Sequence, residues 1–262
     1  MIDYFHEEKN RHSYGQRRVD KSWKDALQPW LQERRVKHAA DVGCGGGIYA
    51  KALVDMGVSS VTGIDFSEPT IQASTETFGE DAAISMVWGT AEHLPLAKES
   101  VDLVLARALI HHLNDVSLFI SEANRVLKKD GLLLIQDRTL TDCLLPGSRD
   151  HVRGYFFTAF PELVPLERKR RPAGKEVLEK LSESGFGDIE ENQLWETRKR
   201  YPGKEEWLHE LKERTGRSIL QHLSDEKLEE LLSYLNHCLP AEEPIVEKDR
   251  WTIWKAEKKG VR

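Results

Sequence analysis

At 262 residues, with 31% charged and 39% hydrophobic side chains and a formal net charge of −6, the chain can bury a full core as one large domain or as one domain with an added lid. Its mean hydropathy is −0.54, and no apolar run comes near the ~18 residues of a membrane span; the acidic balance argues against a generally nucleic-acid-binding surface. MIDYFHEEKNRH at the start holds no apolar stretch of signal-peptide length, and Cys44, Cys143 and Cys238 are too scattered for a disulfide framework or a metal site, so a reducing, cytoplasmic setting is expected.

In chain order, HAADVG (38–43) reads as a short buried strand, and IYAKALVDMG follows as a helix ended by Gly57. SSVTGID (59–65) is a second strand that stops at an acid, after which Ser67 caps a helix with Pro69 in its first turn. ISMVWG (84–89), VDLVLA (101–106) and GLLLIQD (131–137) supply three more strands, and SLFISEANRVLKKDG (117–131) reads as an amphipathic helix. This alternation predicts a Rossmann-like, doubly wound α/β sheet. Past residue 140, prolines punctuate an aromatic-rich connection expected to cover the sheet. A helix at 175–188 and a strand at 189–201 follow, then two helices, 204–216 and 224–239, that look like an inserted lid within about 202–242. The final strand (244–258) alternates as an antiparallel strand does, making seven strands in all. The expected organisation is an N-terminal helical arm (1–35), a core (36–140) and a C-terminal half with the lid (141–262).

The loop DVGCGGG decides between ligands. The dinucleotide fingerprint G-x-G-x-x-G would need glycine at 48, which is isoleucine, whereas acid-x-G-x-G-x-G is met by Asp41, Gly43, Gly45 and Gly47. An acid so placed would repel a pyrophosphate and suits a ligand carrying an ammonium group. The phosphate-cradling G-x-x-x-x-G-K-[ST] is absent.

With DVGCGGG, GIDFS, WGTAEHLPLAKESVDLVLARALIHHL and EANRVLKKDGLLLIQD in that order, the chain resembles the class I S-adenosylmethionine-dependent methyltransferases, in the branch that includes the ubiquinone and menaquinone biosynthesis enzymes. The resemblance runs motif by motif over residues 36–140. It implies that Asp65, roughly 20 positions beyond Gly43, accepts the ribose hydroxyls with Phe66 beside it. It further implies that Asp41, Gly43, Cys44, Gly45 and Gly47 lie along the methionine portion, and that Thr90, Ala91 and Glu92 meet the adenine edge. Thr90 stands where the family places an acid. Arg107 lines the cofactor pocket in this reading, and Tyr14, with Tyr4 and Phe5, belongs to an arm folded over it.

His111, His112 and Asp137 lie at strand ends where open α/β sheets place their ligands, and are the candidate catalytic residues, a histidine serving as general base or as pocket floor. Tyr155, Phe156, Phe157, Phe160, Trp207 and Leu211 either wall an apolar substrate or are core. The implied reaction carries a methyl group from S-adenosylmethionine to a small-molecule acceptor, leaving S-adenosylhomocysteine, without a metal. The alternatives are an RNA or protein methyltransferase, for which RKRR (168–171) and RKR (198–200) would have to face one mouth, and a binding protein without transferase activity. Monomer and homodimer both stay open.

Overall fold

The computed structural model describes residues 19–79, 81–239 and 244–260; Tyr4, Phe5 and Tyr14, expected in the arm, lie outside them. The chain divides into two units. One holds the described residues up to Asp137, Ala173–Leu194 and those from Thr252 onward; the other holds Arg138–Pro172 and Trp195–Trp251.

The first unit opens with α1 (Lys21–Glu33), capped by the Asp20 side chain on Ser22 N–H and burying Trp23, Leu27 and Leu31. It continues through β1 (His38–Val42), α2 (Ile48–Asp55), β2 (Ser60–Asp65), α3 (Glu68–Phe78), β3 (Ile84–Trp88), β4 (Val101–Arg107), α4 (Val116–Val126) and β5 (Leu127–Asp137). The sheet order, completed by β6 (Phe186–Tyr201) and β7 (Ile245–Lys258), is β3-β2-β1-β4-β5-β7-β6. β1 pairs in parallel with both β2 and β4, and β7 runs antiparallel to β5, Asp137 facing Thr252. The order reverses direction at β1, and the crevice beyond the carboxyl ends of β1 and β4 is therefore where such a sheet takes its ligand. Strands β1 and β4 and the Gly131–Ile135 part of β5 are nearly continuous apolar runs because helices cover both of their faces.

Two boundaries differ from the sequence reading. The helix expected over 117–131 stops at Val126, and the next residue already belongs to β5. The start of β4 draws the chain out of the helix, since Glu99 N–H and Ser100 N–H donate to the carbonyls of Arg125 and Val126 and Lys128 pairs with Asp102 at 2.7 Å. Asp130 then turns through φ +61° before Gly131 re-enters the sheet. Likewise α8 (Gly174–Glu183) is ended early by Gly185 at φ +84°, so β6 begins at Phe186 rather than 189.

The second unit contains α5 (Leu140–Cys143), α6 (Arg153–Ala159), α7 (Leu163–Arg170), α9 (Lys204–Lys212) and α10 (Asp225–Cys238). Phe156, Phe157, Phe160, Trp207 and Leu211 join Leu228, Leu231, Leu232 and Leu235 in one buried cluster with Tyr155 at its margin, so the aromatic stripe is core. Both basic clusters are divided, with Arg168, Lys169, Lys199 and Arg200 exposed and the rest drawn onto carboxylates. Arg171 binds Glu167 at 2.9 Å and Arg170 binds the same carboxylate, while Arg198 reaches Glu247 at 3.1 Å and Lys199 reaches Glu210 at 2.5 Å.

Candidate active site

The glycine loop leaves β1 with three left-handed residues, Gly43 at φ +72°, Gly45 at +50° and Gly47 at +74°, a conformation that side chains with a Cβ resist. The three are bare for different reasons. A Cβ on Gly47 would stand 2.3 Å from Met86 Cε, and one on Gly43 3.0 Å from Leu109 Cδ1, whereas one on Gly45 would meet nothing within 4 Å. Gly45 therefore exposes backbone toward open space. Gly47 is the N-cap of α2, whose dipole favours negative charge.

Asp65 ends β2 directly beside this loop. Its Oδ2 accepts from Gly45 N–H at 3.0 Å and its Oδ1 from Ser67 N–H at 3.0 Å, while Ser74 Oγ fixes the Gly45 carbonyl at 3.0 Å. Burial raises the Asp65 pKa and these amides pull it back down. Phe66 N–H adds to these amides, and the carboxylate's four lone pairs still leave acceptor capacity. Asp41, 2% exposed, lies at the end of β1 with Oδ2 unpartnered among the described residues. Burial pushes it up to about 7, opposed by Ala50 N–H and Arg107 and reinforced by the Asp65 charge. The Cys44 thiol is buried and held well above its usual range, first by desolvation and then by Asp41 and Asp65.

The third wall is the segment after β3. Gly89 N–H donates to the Asp65 carbonyl at 3.1 Å, and Thr90 forms a bridge with His93. From α4, Glu122 accepts Leu94 N–H at 2.9 Å, and Arg125 holds the carbonyls of Leu96 and Leu94 at 2.9 and 3.0 Å. Ala91 is buried and Glu92 partly exposed. Phe66, 45% exposed, and Trp88, 53% exposed, are large apolar rings left at the strand ends, with Trp88 Nε1 donating to the Phe66 carbonyl at 2.9 Å. The sequence reading missed Trp88, although its position one residue before the GTAEH segment and opposite Asp65 in the ladder was the available signal.

Beyond β4 and β5 two further groups assemble. Arg107 lies over the Tyr49 ring at 4.3 Å, Tyr49 meets Trp23 edge-on at 5.0 Å, and Trp23 Nε1 donates to Gln136 at 2.9 Å, a chain of contacts tying α1 and α2 to the strand ends. Trp23 and Tyr49 had no motif to flag them. Ala108 takes φ +53°, strain of the kind that persists where surrounding structure over-determines it. In the turn at Ile110–His112, His111 Nδ1 lies 3.0 and 2.8 Å from the two oxygens of Asp137, which is fully buried. A carboxylate accepts, so Nδ1 carries the proton and the ring's basic atom is Nε2. His112 is exposed, its ring centroid 3.9 Å from that of His111. The structure thus joins His111 to Asp137 and leaves His112 outside the pair. Two hollows of about 290 Å³ each open at the opposite, amino ends of the strands, around Asp102 and around Val36; no residue of this site lines either.

Residues 40–135 match the profile of a family described as a methyltransferase domain. A ubiquinone biosynthesis O-methyltransferase of Rhizobium etli is 35% identical over 96 residues, which make up 36% of this chain and 38% of that protein. The chain therefore spans well under half the length of that relative. A demethylmenaquinone methyltransferase of Staphylococcus aureus is 29% identical over 188 residues, 71% of this chain and 70% of that protein. Among solved structures, phosphoethanolamine N-methyltransferase 2 of Haemonchus contortus, in complex with phosphomonomethylethanolamine and S-adenosylhomocysteine, aligns at TM-score 0.56 and 20% identity over 92% of this chain and 54% of that one.

Proposed function

We propose, from the match of residues 40–135 to a methyltransferase-domain profile, that the chain is a class I S-adenosylmethionine-dependent methyltransferase that transfers a methyl group to a small-molecule acceptor. The observation that carries this reading is the Asp65 carboxylate held by Gly45 N–H and Ser67 N–H beside the unpartnered Oδ2 of Asp41. Two buried acids around bare backbone suit a ligand with a diol and an ammonium group and no phosphate.

S-adenosylmethionine would supply an already activated methyl group on a sulfonium. In this reading Asp65 accepts the ribose hydroxyls, Asp41 faces the ammonium directly or through water, and the Gly43–Gly47 backbone lies against the methionine portion. Phe66 and Trp88 wall the adenine, with Thr90, Ala91 and Glu92 along its edge. His111, oriented by Asp137, takes the proton of an acceptor hydroxyl or amine, a contribution typically of about 10²–10⁴-fold. Arg107 shapes the pocket through its stem while its charge rests on Tyr49. The setting is cytoplasmic; no helix among the described residues is long and apolar enough to cross a membrane.

An RNA or protein substrate is disfavoured because Arg170, Arg171 and Arg198 are spent on carboxylates with little exposure, which leaves each cluster only two exposed cations. Calorimetric titration of the protein with S-adenosylhomocysteine, alongside NADH and the Asp65→Ala variant, tests the proposal. Saturable binding of the first ligand alone, lost in the variant, is expected. Binding of NADH, or of neither ligand, overturns it. Binding without turnover across candidate acceptors would leave a cofactor-binding protein.

A further inference from the structure

The second unit shows what a buried arginine looks like when its role is structural. Arg217, 1% exposed, places Nε and Nη2 on Glu247 and Nη1 on Glu210, and further bonds Tyr201 Oη and the Thr215 carbonyl. Every arm of its fork has a partner, as burial requires.

Arg153, the first residue of α6, is 6% exposed and is arranged otherwise. Its Nε donates to Asp249 Oδ1 at 3.1 Å, and that is its one hydrogen bond among the described residues; both terminal nitrogens are left over. Asp249 Oδ2 instead takes Arg138 Nη1 at 2.9 Å, and neither terminal nitrogen of Arg153 bonds to it among the described residues. Two residues earlier, His151 is 2% exposed, and its Nε2 is buried without a partner among the described residues. The other ring nitrogen, Nδ1, lies 3.4 Å from the Lys248 carbonyl. A carbonyl only accepts, so Nδ1 carries the hydrogen and Nε2 of the neutral ring is an acceptor seeking a donor. Burial lowers the His151 pKa, with Asp249 opposing and Arg153 and Arg138 adding to the shift, which keeps the ring neutral near pH 7 and shows that these groups share one electrostatic neighbourhood.

The frame around the two residues is rigid. Ser148 Oγ accepts His151 N–H at 3.0 Å, Ser148 N–H returns a bond to the His151 carbonyl at 3.1 Å, and Lys248 N–H binds the Asp150 carbonyl at 2.7 Å. Trp195 stands edge-on to the His151 ring at 5.5 Å. Terminal donors of Arg153 that reach the surface without a protein partner, two residues from a buried acceptor that has none, suit a ligand that answers both.

We propose that Arg153 and His151 form a binding site in the second unit for a small carboxylate carrying an adjacent hydroxyl. The carboxylate meets the terminal nitrogens of Arg153 in a two-pronged contact, the geometry a guanidinium offers, and the hydroxyl donates to His151 Nε2. The site does not depend on the methyltransferase reading.

The test is an NMR titration of the full-length protein without S-adenosylhomocysteine, using 2-hydroxybenzoate, benzoate and inorganic phosphate as probes and following the Arg153 side-chain N–H and the His151 ring nitrogens. 2-Hydroxybenzoate is expected to saturate at about millimolar concentration, roughly tenfold tighter than benzoate for one added hydrogen bond, with phosphate weaker than both and the His151 Nε2 resonance moving as its acceptor bond forms. Arg153→Lys, which keeps a cation for Asp249 but loses the fork, should weaken both carboxylates about tenfold. His151→Phe should make them bind equally. If Arg153→Lys fails to fold, the nitrogen shifts of the wild-type protein decide. Absence of saturable shifts with every probe means that water alone satisfies these atoms, and overturns the site. Phosphate binding tightest, or equal binding of the two benzoates to wild type, overturns the ligand assigned to it.

Discussion

Asp41→Asn separates what the glycine loop's acid costs the empty protein from what it does for a ligand. The wild-type carboxyl, 2% exposed, is pushed up to about 7 from its ordinary 3.8 chiefly by burial. Below pH ~4 both native and unfolded states hold the proton and the group has no effect. Between there and pH 7 the unfolded chain releases it while the native state keeps it, so the native state binds more protons and stability falls as pH rises. Above 7 the penalty levels off at about 4 kcal/mol, roughly three pKa units at ~1.4 kcal/mol each. Asparagine removes the charge but still buries a polar atom, so about 2 kcal/mol of relief is expected at pH 8. Thermal denaturation should show the ligand-free variant more stable than wild type at pH 8, the gap closing toward pH 4. Binding should respond with the opposite preference. If the ionised carboxylate faces the ligand's ammonium, wild-type affinity for S-adenosylhomocysteine falls by up to about tenfold per pH unit below 7, while the variant binds weakly and without that slope. Calorimetry between pH 5.5 and 8.5 measures both. Parallel pH profiles for the two proteins would refute the argument that Asp41 is the titrating group and that it faces the ligand.

Gly47→Ala should cost more stability than Gly45→Ala, because both suffer a left-handed φ but only the former drives a Cβ to within 2.3 Å of Met86 and 2.7 Å of Phe78; chemical denaturation measures the order, and Gly45→Ala should instead show its larger effect in cofactor titration. His111→Asn and Asp137→Asn should each lower turnover of any acceptor attacked through a protonated oxygen or nitrogen by about 10²–10⁴-fold, with affinity for S-adenosylhomocysteine within about threefold of wild type; equal losses of binding would assign the pair to the pocket floor. Arg217→Met leaves the buried Glu247 carboxylate with Arg198 alone and should destabilise by less than the ~3–5 kcal/mol of a fully broken buried pair, whereas removing both arginines should cost more than the sum of the single losses; additive losses in urea denaturation would show that the three groups do not act as a unit. Trp23→Phe removes the bond to Gln136 and should cost about 1–3 kcal/mol by the same assay.

What the sequence determined by itself is local or periodic. The buried strands announce themselves because helices on both faces demand apolar side chains at every position, and the acid-x-G-x-G-x-G loop does so because its left-handed turns tolerate little else. The places of Asp41 and Asp65 at the ends of β1 and β2, and of Thr90–Glu92 just after β3, were therefore legible before any coordinates. The leucines of α10 were legible too, since i, i+3, i+4, i+7 leaves one buried face. Where helix 117–131 would end was not, because hydrogen bonds from Glu99 and Ser100, distant in sequence, stop it. The fate of the basic clusters was equally hidden: RKR at 198–200 looks the same in one dimension whether it meets solvent or Glu247 and Glu210. The pairing of His111 rather than His112 with Asp137, the single-bonded Arg153 and the partnerless Nε2 of His151 were likewise decided in three dimensions. A charge declares its type in sequence, but its partner is fixed by packing, and burial without a sufficient partner is visible only once the chain has folded around it.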